Sequence, residues 1–182
     1  KRFFYVCLLV GVLCIPLSNR FLKEYQKRRI MVFLGAGDAL KERYHIEQSK
    51  IAIGSGKITG KCFCQGTQNK LMFLPERRTD SIFSVLCEEW GFVGACLLIF
   101  LYVVLFFRIL YRLERVKSFF GQLLGVGLLI PVMLATVINM CMVCGLMPIV
   151  GIPLPLMSYG VTALWITLIS LGWIQGIIMR GF

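Results

Sequence analysis

QSKIAIGSGKITGKCFCQGTQNKLMFLPERRTDSIFSVLCEEWGFVG, residues 48–94, changes character part-way along. Up to Asp80 it is a basic loop punctuated by Gly54, Gly56, Gly60 and Gly66, with Lys57, Lys61 and Lys70 between them. From Ser81 it becomes an apolar run that carries two adjacent acids, Glu88 and Glu89. Asp80 stands at the join, where water-facing chain meets chain that needs lipid. The apolar run continues to Phe107, longer than the roughly 20 residues a membrane-crossing helix needs.

The same pattern recurs on both sides. Phe3–Leu17 is apolar but, at 15 residues, short of a full span; Phe119–Met147 is apolar with Gln122 and Asn139 inside it; Val161–Met179 ends at Arg180. Of the 182 residues 58% are hydrophobic, and the mean hydropathy is +0.79, far above a soluble domain. These runs predict an all-α integral membrane protein. Four transmembrane helices are expected in one membrane domain over 1–182, with one large loop over 18–80. No signal peptide with a small-residue cleavage site precedes the fold. The start at Lys1 suggests a fragment or a trimmed chain.

Basic residues in short loops orient such a protein. Lys1, Arg2, Arg108, Arg112, Arg115, Lys117 and Arg180 fall on one side if four helices alternate, which makes that side cytoplasmic. The 18–80 loop is then extracytoplasmic, together with the proline-rich turn after residue 147. Arg108–Lys117 reads as a short basic loop. The 18–80 loop holds 13 Lys and Arg against six Asp and Glu, a net +7 within a chain of net charge +11. Long loops are poor witnesses to orientation, so an outward basic loop asks for an anionic ligand or anionic headgroups. Leu22–Phe33 can lie on a membrane surface as an amphipathic helix. Nucleic acid is excluded as a partner: the apolar runs need lipid, and no aromatic–basic alternation offers a stacking platform.

Metal and redox chemistry find little support. Of eight cysteines, Cys7, Cys14, Cys87, Cys96, Cys141 and Cys144 lie in apolar runs, where cysteine behaves as a small buried apolar residue. Cys62 and Cys64 are one residue apart, and the Cys141–Cys144 pair has no partner pair. His45 is the sole histidine and reads as a polar interface residue. No metal site and no cofactor are indicated; a divalent cation stays open without any residue pattern to hold it. A nucleotide P-loop fails on spacing, because Gly56-Lys57 has Ile51 and Ile58, and Gly60-Lys61 has Ser55 and Cys62, where that motif needs Gly and Ser or Thr. A phosphate-cradling loop of another kind is compatible with the glycines and lysines, as is a tight turn under headgroups.

Asp80 has two compatible readings. With Thr79 it is placed to cap the helix that starts near Ser81; beside Arg77 and Arg78 it is also a carboxylate at the water–lipid boundary, able to act as a base towards a substrate whose tail lies in the bilayer. Glu88 and Glu89 follow about 12 Å further along that helix. Buried acids there face a cavity or a partner; a structural ion pair is preferred to a proton-handling role, and a helix outside this chain could supply the cation for one of them. Asn139 can bond across helices or cap broken backbone. GLMPIVGIPLPLMSYG, residues 145–160, holds three prolines and three glycines and cannot be a regular helix. Irregular backbone at membrane depth must line a cavity or be buried in protein, so this segment is expected to wall the same outward cavity as Asp80.

The stretches YHIEQSKIAIGSG (44–56), GTQNKLMFLPERRTDSIF (66–83), EEWGFVG (88–94) and GLMPIVGIPLPLMSYG (145–160) together resemble the SEDS family of cell-wall polymerases, which includes RodA, FtsW and SpoVE. The GTQ…FLPE…TD wording is closest to the RodA branch. The resemblance implies a ten-helix fold of which this chain matches about the last four helices. It implies a peptidoglycan glycosyltransferase that polymerises lipid II during cell elongation and releases undecaprenyl pyrophosphate. The essential aspartate of the family's TDF motif falls on Asp80, which would activate the acceptor's 4-hydroxyl. Lys57, Lys61, Arg77, Arg78, Gln48, Ser49 and Gln68 become candidates for holding lipid II and its pyrophosphate. Glu88, Glu89, Asn139, Pro153, Pro155, Ser158 and Tyr159 become candidates for cavity support. The implied partners are a class B penicillin-binding protein transpeptidase and membrane lipids, and the implied location is the bacterial cytoplasmic membrane. Three departures stand out: Ser81 follows Asp80 where the family has Phe, Val161 follows Gly160 where it has Gly, and the loop reads GSGK where GSGG is common. A flippase for the lipid-linked precursor and a non-catalytic scaffold for the transpeptidase are the alternatives.

Overall fold

The computed structural model describes residues 27, 29, 31, 40–62 and 79–180. The chain divides into two units, Lys1–Arg43 and Tyr44–Phe182. Positions 27, 29 and 31, in the first, are helical; the expected span at Phe3–Leu17 and the rest of the Leu22–Phe33 segment lie outside the described residues. The second unit carries the site. Its elements run α1 (Leu40–Ser55, begun in the first unit), α2 (Ile82–Glu114), α3 (Phe119–Val143) and α4 (Val161–Arg180). Among the described residues there is no strand, and three helices, α2, α3 and α4, are long and apolar enough to cross a membrane. Much of their apolar surface is open, from Phe92 and Phe107 on α2 through Phe119 and Phe120 on α3 to Trp165 and Trp173 on α4, as a lipid-facing surface requires.

α1 was not expected inside the loop. Leu40, Lys41, Glu42 and Arg43 at its start are good helix formers, but the helix is polar around most of its circumference and so has no apolar stripe to announce it. Ser49 and Ala52 are buried on it and Gly56 just past its end, with Ile53 half-buried against the core.

α2 runs further than its apolar run. Arg108–Lys117 is not a loop: the helix continues to Glu114, because Leu105, Ile109 and Leu113 extend the core-facing side past Arg108 and Arg112, whose long stems leave their charges in polar surroundings. The turn into α3 is therefore only residues 115–118. It is closed by the Gln122 amide, which donates to the carbonyls of Glu114 (3.1 Å) and Val116 (2.8 Å), and by Ser118, whose side chain caps α3 by accepting from Gly121 N–H. α3 packs against both α2 and α4. A Cβ on Gly125 would stand 2.4 Å from Leu113 Cδ2, so Leu113 would have to shift to admit one. Leu113, Leu129, Leu154 and Ile174 are the fully buried centre of the bundle.

α2 is not one straight rod. Gly91 breaks it with φ 66° and ψ −161°, a conformation that glycine alone adopts readily. Residues 56–61 dock on the break, main chain to main chain: Phe92 N–H donates to Lys57 O (3.0 Å), Val93 N–H to Ile58 O (3.2 Å), and Lys61 N–H to Glu88 O (3.1 Å). Groups that an unbroken helix would have paired internally are thus satisfied by the loop.

Candidate active site at the rim of the bundle

The link between α3 and α4 leaves the helix at Cys144 and stays irregular to Gly160, with Leu154 and Pro155 buried. Gly151 has φ 79°, and Leu156 has φ 65°. This segment meets the start of α2. Asn139, on the last turns of α3 and wholly buried, donates both amide hydrogens: one to Asp80 O (2.9 Å) and one to Ile152 O (2.7 Å). Ser158 Oγ donates to Thr79 O (2.6 Å) and accepts from Leu154 N–H (2.7 Å). The Tyr102 hydroxyl of α2 donates to Pro155 O. Two side chains therefore clamp the Thr79–Asp80 main chain against the proline-rich segment, and a third ties that segment to α2. Each carbonyl so held is one that irregular backbone leaves without a ladder partner.

Asp80 is half-buried, and its Oδ2 lies beside Gly151, where an added Cβ would be in van der Waals contact with it at 3.4 Å. The carboxylate thus lies against a bare stretch of main chain, on backbone fixed from behind. It does not cap the helix: the N-cap of α2 is Ser81, whose side chain makes no capping bond, while Ser84 N–H and Val85 N–H both reach Ser81 O. The expectation of an Asp80 or Thr79 cap fails because the turn at 79–81 places the first helical carbonyl one residue later.

The glycine–lysine loop forms a second constellation. Four of its main-chain N–H groups are committed: Gly56 to Ile53 O, Lys57 to Gly54 O, Gly60 to Gly56 O and Lys61 to Glu88 O. A Cβ on Gly56 would meet Cys87 O at 1.9 Å, and one on Gly60 would meet Glu89 O at 2.1 Å. Gly56 and Gly60 thus serve close approach to α2, while Gly66 and Lys70 of the expected phosphate-cradling loop lie outside the described residues. Lys61 Nζ lies 3.0 Å from Glu88 Oε1, so Glu88 has a cation within this chain. Glu88 and Glu89 are both buried.

The other sequence candidates distribute as follows. Lys57 is exposed, in the left-handed region with φ 49°. Ser49 is buried on α1, and Gln48 is half-buried with its Oε1 lacking a hydrogen-bond partner. Pro153 is half-buried and Tyr159 exposed. Gln68, Arg77 and Arg78 lie outside the described residues. No group of three or more metal-ligating side chains occurs among the described residues. Sequence reasoning missed Gly151, Tyr102 and Gly91. Gly91 had a signal, a glycine directly after the acidic pair inside an apolar run; Tyr102 had one in its hydroxyl, which seeks a partner when buried.

The family model FTSW_RODA_SPOVE, described as "Cell cycle protein", matches residues 1–180. The chain is similar to the peptidoglycan glycosyltransferase MrdB of Escherichia coli (strain K12), with 43% identity over 178 residues, covering 97% of this chain and 48% of that protein. It is similar to the peptidoglycan glycosyltransferase RodA of Treponema pallidum (strain Nichols), with 40% identity over 186 residues, covering 99% of this chain and 43% of that one. Among solved structures it resembles, at TM-score 0.74 and 27% identity over all of this chain and 50% of the other, a chain described under "Structural coordination of polymerization and crosslinking by a peptidoglycan synthase complex". The chain spans about half the length of the curated relatives it matches.

Proposed function

Because this chain belongs to the FtsW, RodA and SpoVE family, a family of multi-pass membrane proteins, we propose that it carries the catalytic rim of a peptidoglycan glycosyltransferase and that Asp80 is its general base. The observation that carries this reading is the clamp. Asn139 and Ser158 hold the carbonyls of Asp80 and Thr79, which fixes the backbone that carries the carboxylate. A base must be pre-positioned to contribute to rate.

The reaction joins two lipid-linked saccharides. Asp80 accepts the proton of the acceptor's sugar hydroxyl as that oxygen attacks the donor's anomeric carbon. The bond from that carbon to the pyrophosphate oxygen breaks, and the lipid pyrophosphate leaves with the electron pair. Developing charge on the leaving group calls for cations. Lys57 is the exposed described candidate, while Lys61 is engaged by Glu88. Arg108, Arg112, Arg115, Lys117 and Arg180 lie towards the other ends of α2 and α4; by the positive-inside rule that end is cytoplasmic, so Asp80 faces outward from the cytoplasmic membrane. Similarity to MrdB and RodA and to a chain of a peptidoglycan synthase complex supports lipid II as substrate, a role in elongation and a transpeptidase as partner.

The test is polymerisation of purified lipid II by the full-length protein with its transpeptidase, comparing wild type with Asp80→Ala. Loss of glycan product with lipid movement across liposomes unchanged supports the reading. Retained polymerisation overturns it, and loss of transport alone favours a flippase.

A further inference from the structure

At the end of the bundle remote from Asp80, α2 and α4 do not close on one another along their whole length. Between them lies a cavity of about 400 Å³, with Arg108, Arg112 and Gln175 among its lining over Leu105, Ile109 and Leu171. A neighbouring cavity of about 490 Å³ shares Arg112 and adds Tyr111, Arg115 and Lys117. No acidic residue is among the described lining of either. Volumes in this range suit a small ligand or part of a larger one.

The charge arrangement favours an anionic occupant. Arg108 and Arg112 are four residues apart on α2, and Arg112 and Arg115 three apart, so like charges share one helix face and repel. The terminal carbonyls of the helix offset part of that. Arg115 is also ordered: its guanidinium lies 4.4 Å from the centroid of the Tyr111 ring and donates to the Tyr111 hydroxyl. A planar guanidinium held in this way presents its remaining N–H groups to a phosphate as a fork. The apolar side chains below reach towards the bilayer centre, where a soluble anion has nothing to offer and an acyl chain does.

We propose that this cleft binds an anionic glycerophospholipid, its phosphate on Arg112 and Arg115 with Arg108 and Lys117 flanking, and its first methylenes against Leu105, Ile109 and Leu171. Basic clefts between membrane helices recognise such headgroups by charge and shape together. The site is independent of the reaction at Asp80.

Native mass spectrometry of the full-length protein, taken from nanodiscs of mixed phosphatidylglycerol and phosphatidylethanolamine, tests it. Wild type should retain phosphatidylglycerol, and Arg112→Gln/Arg115→Gln should lose that preference by at least about tenfold. Arg180→Gln, a charge at the same end but outside both cavities, should not; Arg112→Lys/Arg115→Lys should recover part of it and shows that the double variant's loss is not misfolding. An equal loss in Arg180→Gln would mean diffuse attraction and overturn the site. So would unchanged retention in the glutamine pair, or displacement of the lipid by millimolar inorganic phosphate or glycerol phosphate, which would assign the cleft to a soluble anion.

Discussion

α2 is held at two places in different ways, and the contrast separates what fixes the fold from what tunes the site. At its start, side chains do the holding: Asn139 and Ser158 each reach a carbonyl of residues 79–80. At its break, main chain holds main chain, through Lys57, Ile58 and Lys61 against residues 88–93, with one ion pair beside it. A side-chain clamp can be removed one hydrogen bond at a time. A backbone dock has no such gradation, because any added Cβ pushes two segments apart. The rim is therefore where a small change alters geometry without abolishing the fold.

The largest effect should come from the break. In Gly91→Ala the new Cβ would stand 2.3 Å from Gly60 N, on a residue at φ 66°. The expected outcome is loss of folded protein in detergent, more than about 4 kcal/mol, measured by fluorescence-detected size exclusion. A wild-type profile would show that the loop is not docked as described. Next comes Lys61→Met, which removes the Lys61 ammonium from beside Glu88, a wholly buried acid. Breaking a buried pair from one side costs about 3–5 kcal/mol, visible as a lower melting temperature, and Lys61→Met/Glu88→Leu should regain much of it. If the double variant melts no higher than the single, the pair is not what stabilises this contact.

At the rim the effects on stability shrink and those on activity grow. Asn139→Ala strands the carbonyls of Asp80 and Ile152 and should cost about 2 kcal/mol. The proposal adds that it lowers the turnover number more than it raises KM for lipid II, because the base is displaced while the binding surface remains. A change in KM alone would make Asn139 purely structural. Ser158→Ala, at about 1 kcal/mol, should show the same split more weakly, and Ser158→Thr should restore part of the rate.

The two regions also differ in how far the sequence reveals them. The spans at α2, α3 and α4 are legible because lipid demands long apolar runs and tolerates little else. The rim is partly legible: an asparagine within an apolar helix and three prolines in an apolar stretch both signal irregular backbone that must find partners, and the structure brings Asn139, Ile152 and Ser158 together with Thr79 and Asp80. The dock at Gly91 is almost illegible, since hydrogen bonds between main chains leave no side-chain pattern. Glycines that look like an anion loop are there to let Cys87 O and Glu89 O approach. The extension of α2 to Glu114 was hidden by Arg108 and Arg112, whose charge reads as a loop although their helix face continues. Gln122 reads as an isolated polar residue until its two acceptors at the end of α2 are seen.

The central claim is that the carboxylate at the rim takes a proton, and Asp80→Asn tests it most directly because it keeps the shape and the Asn139 contact to the main chain while removing the base. The rate of glycan formation from purified lipid II by the folded full-length variant, with its transpeptidase present, should fall by about 10²–10⁴-fold, at an unchanged melting temperature. A rate within a few-fold of wild type would contradict the account.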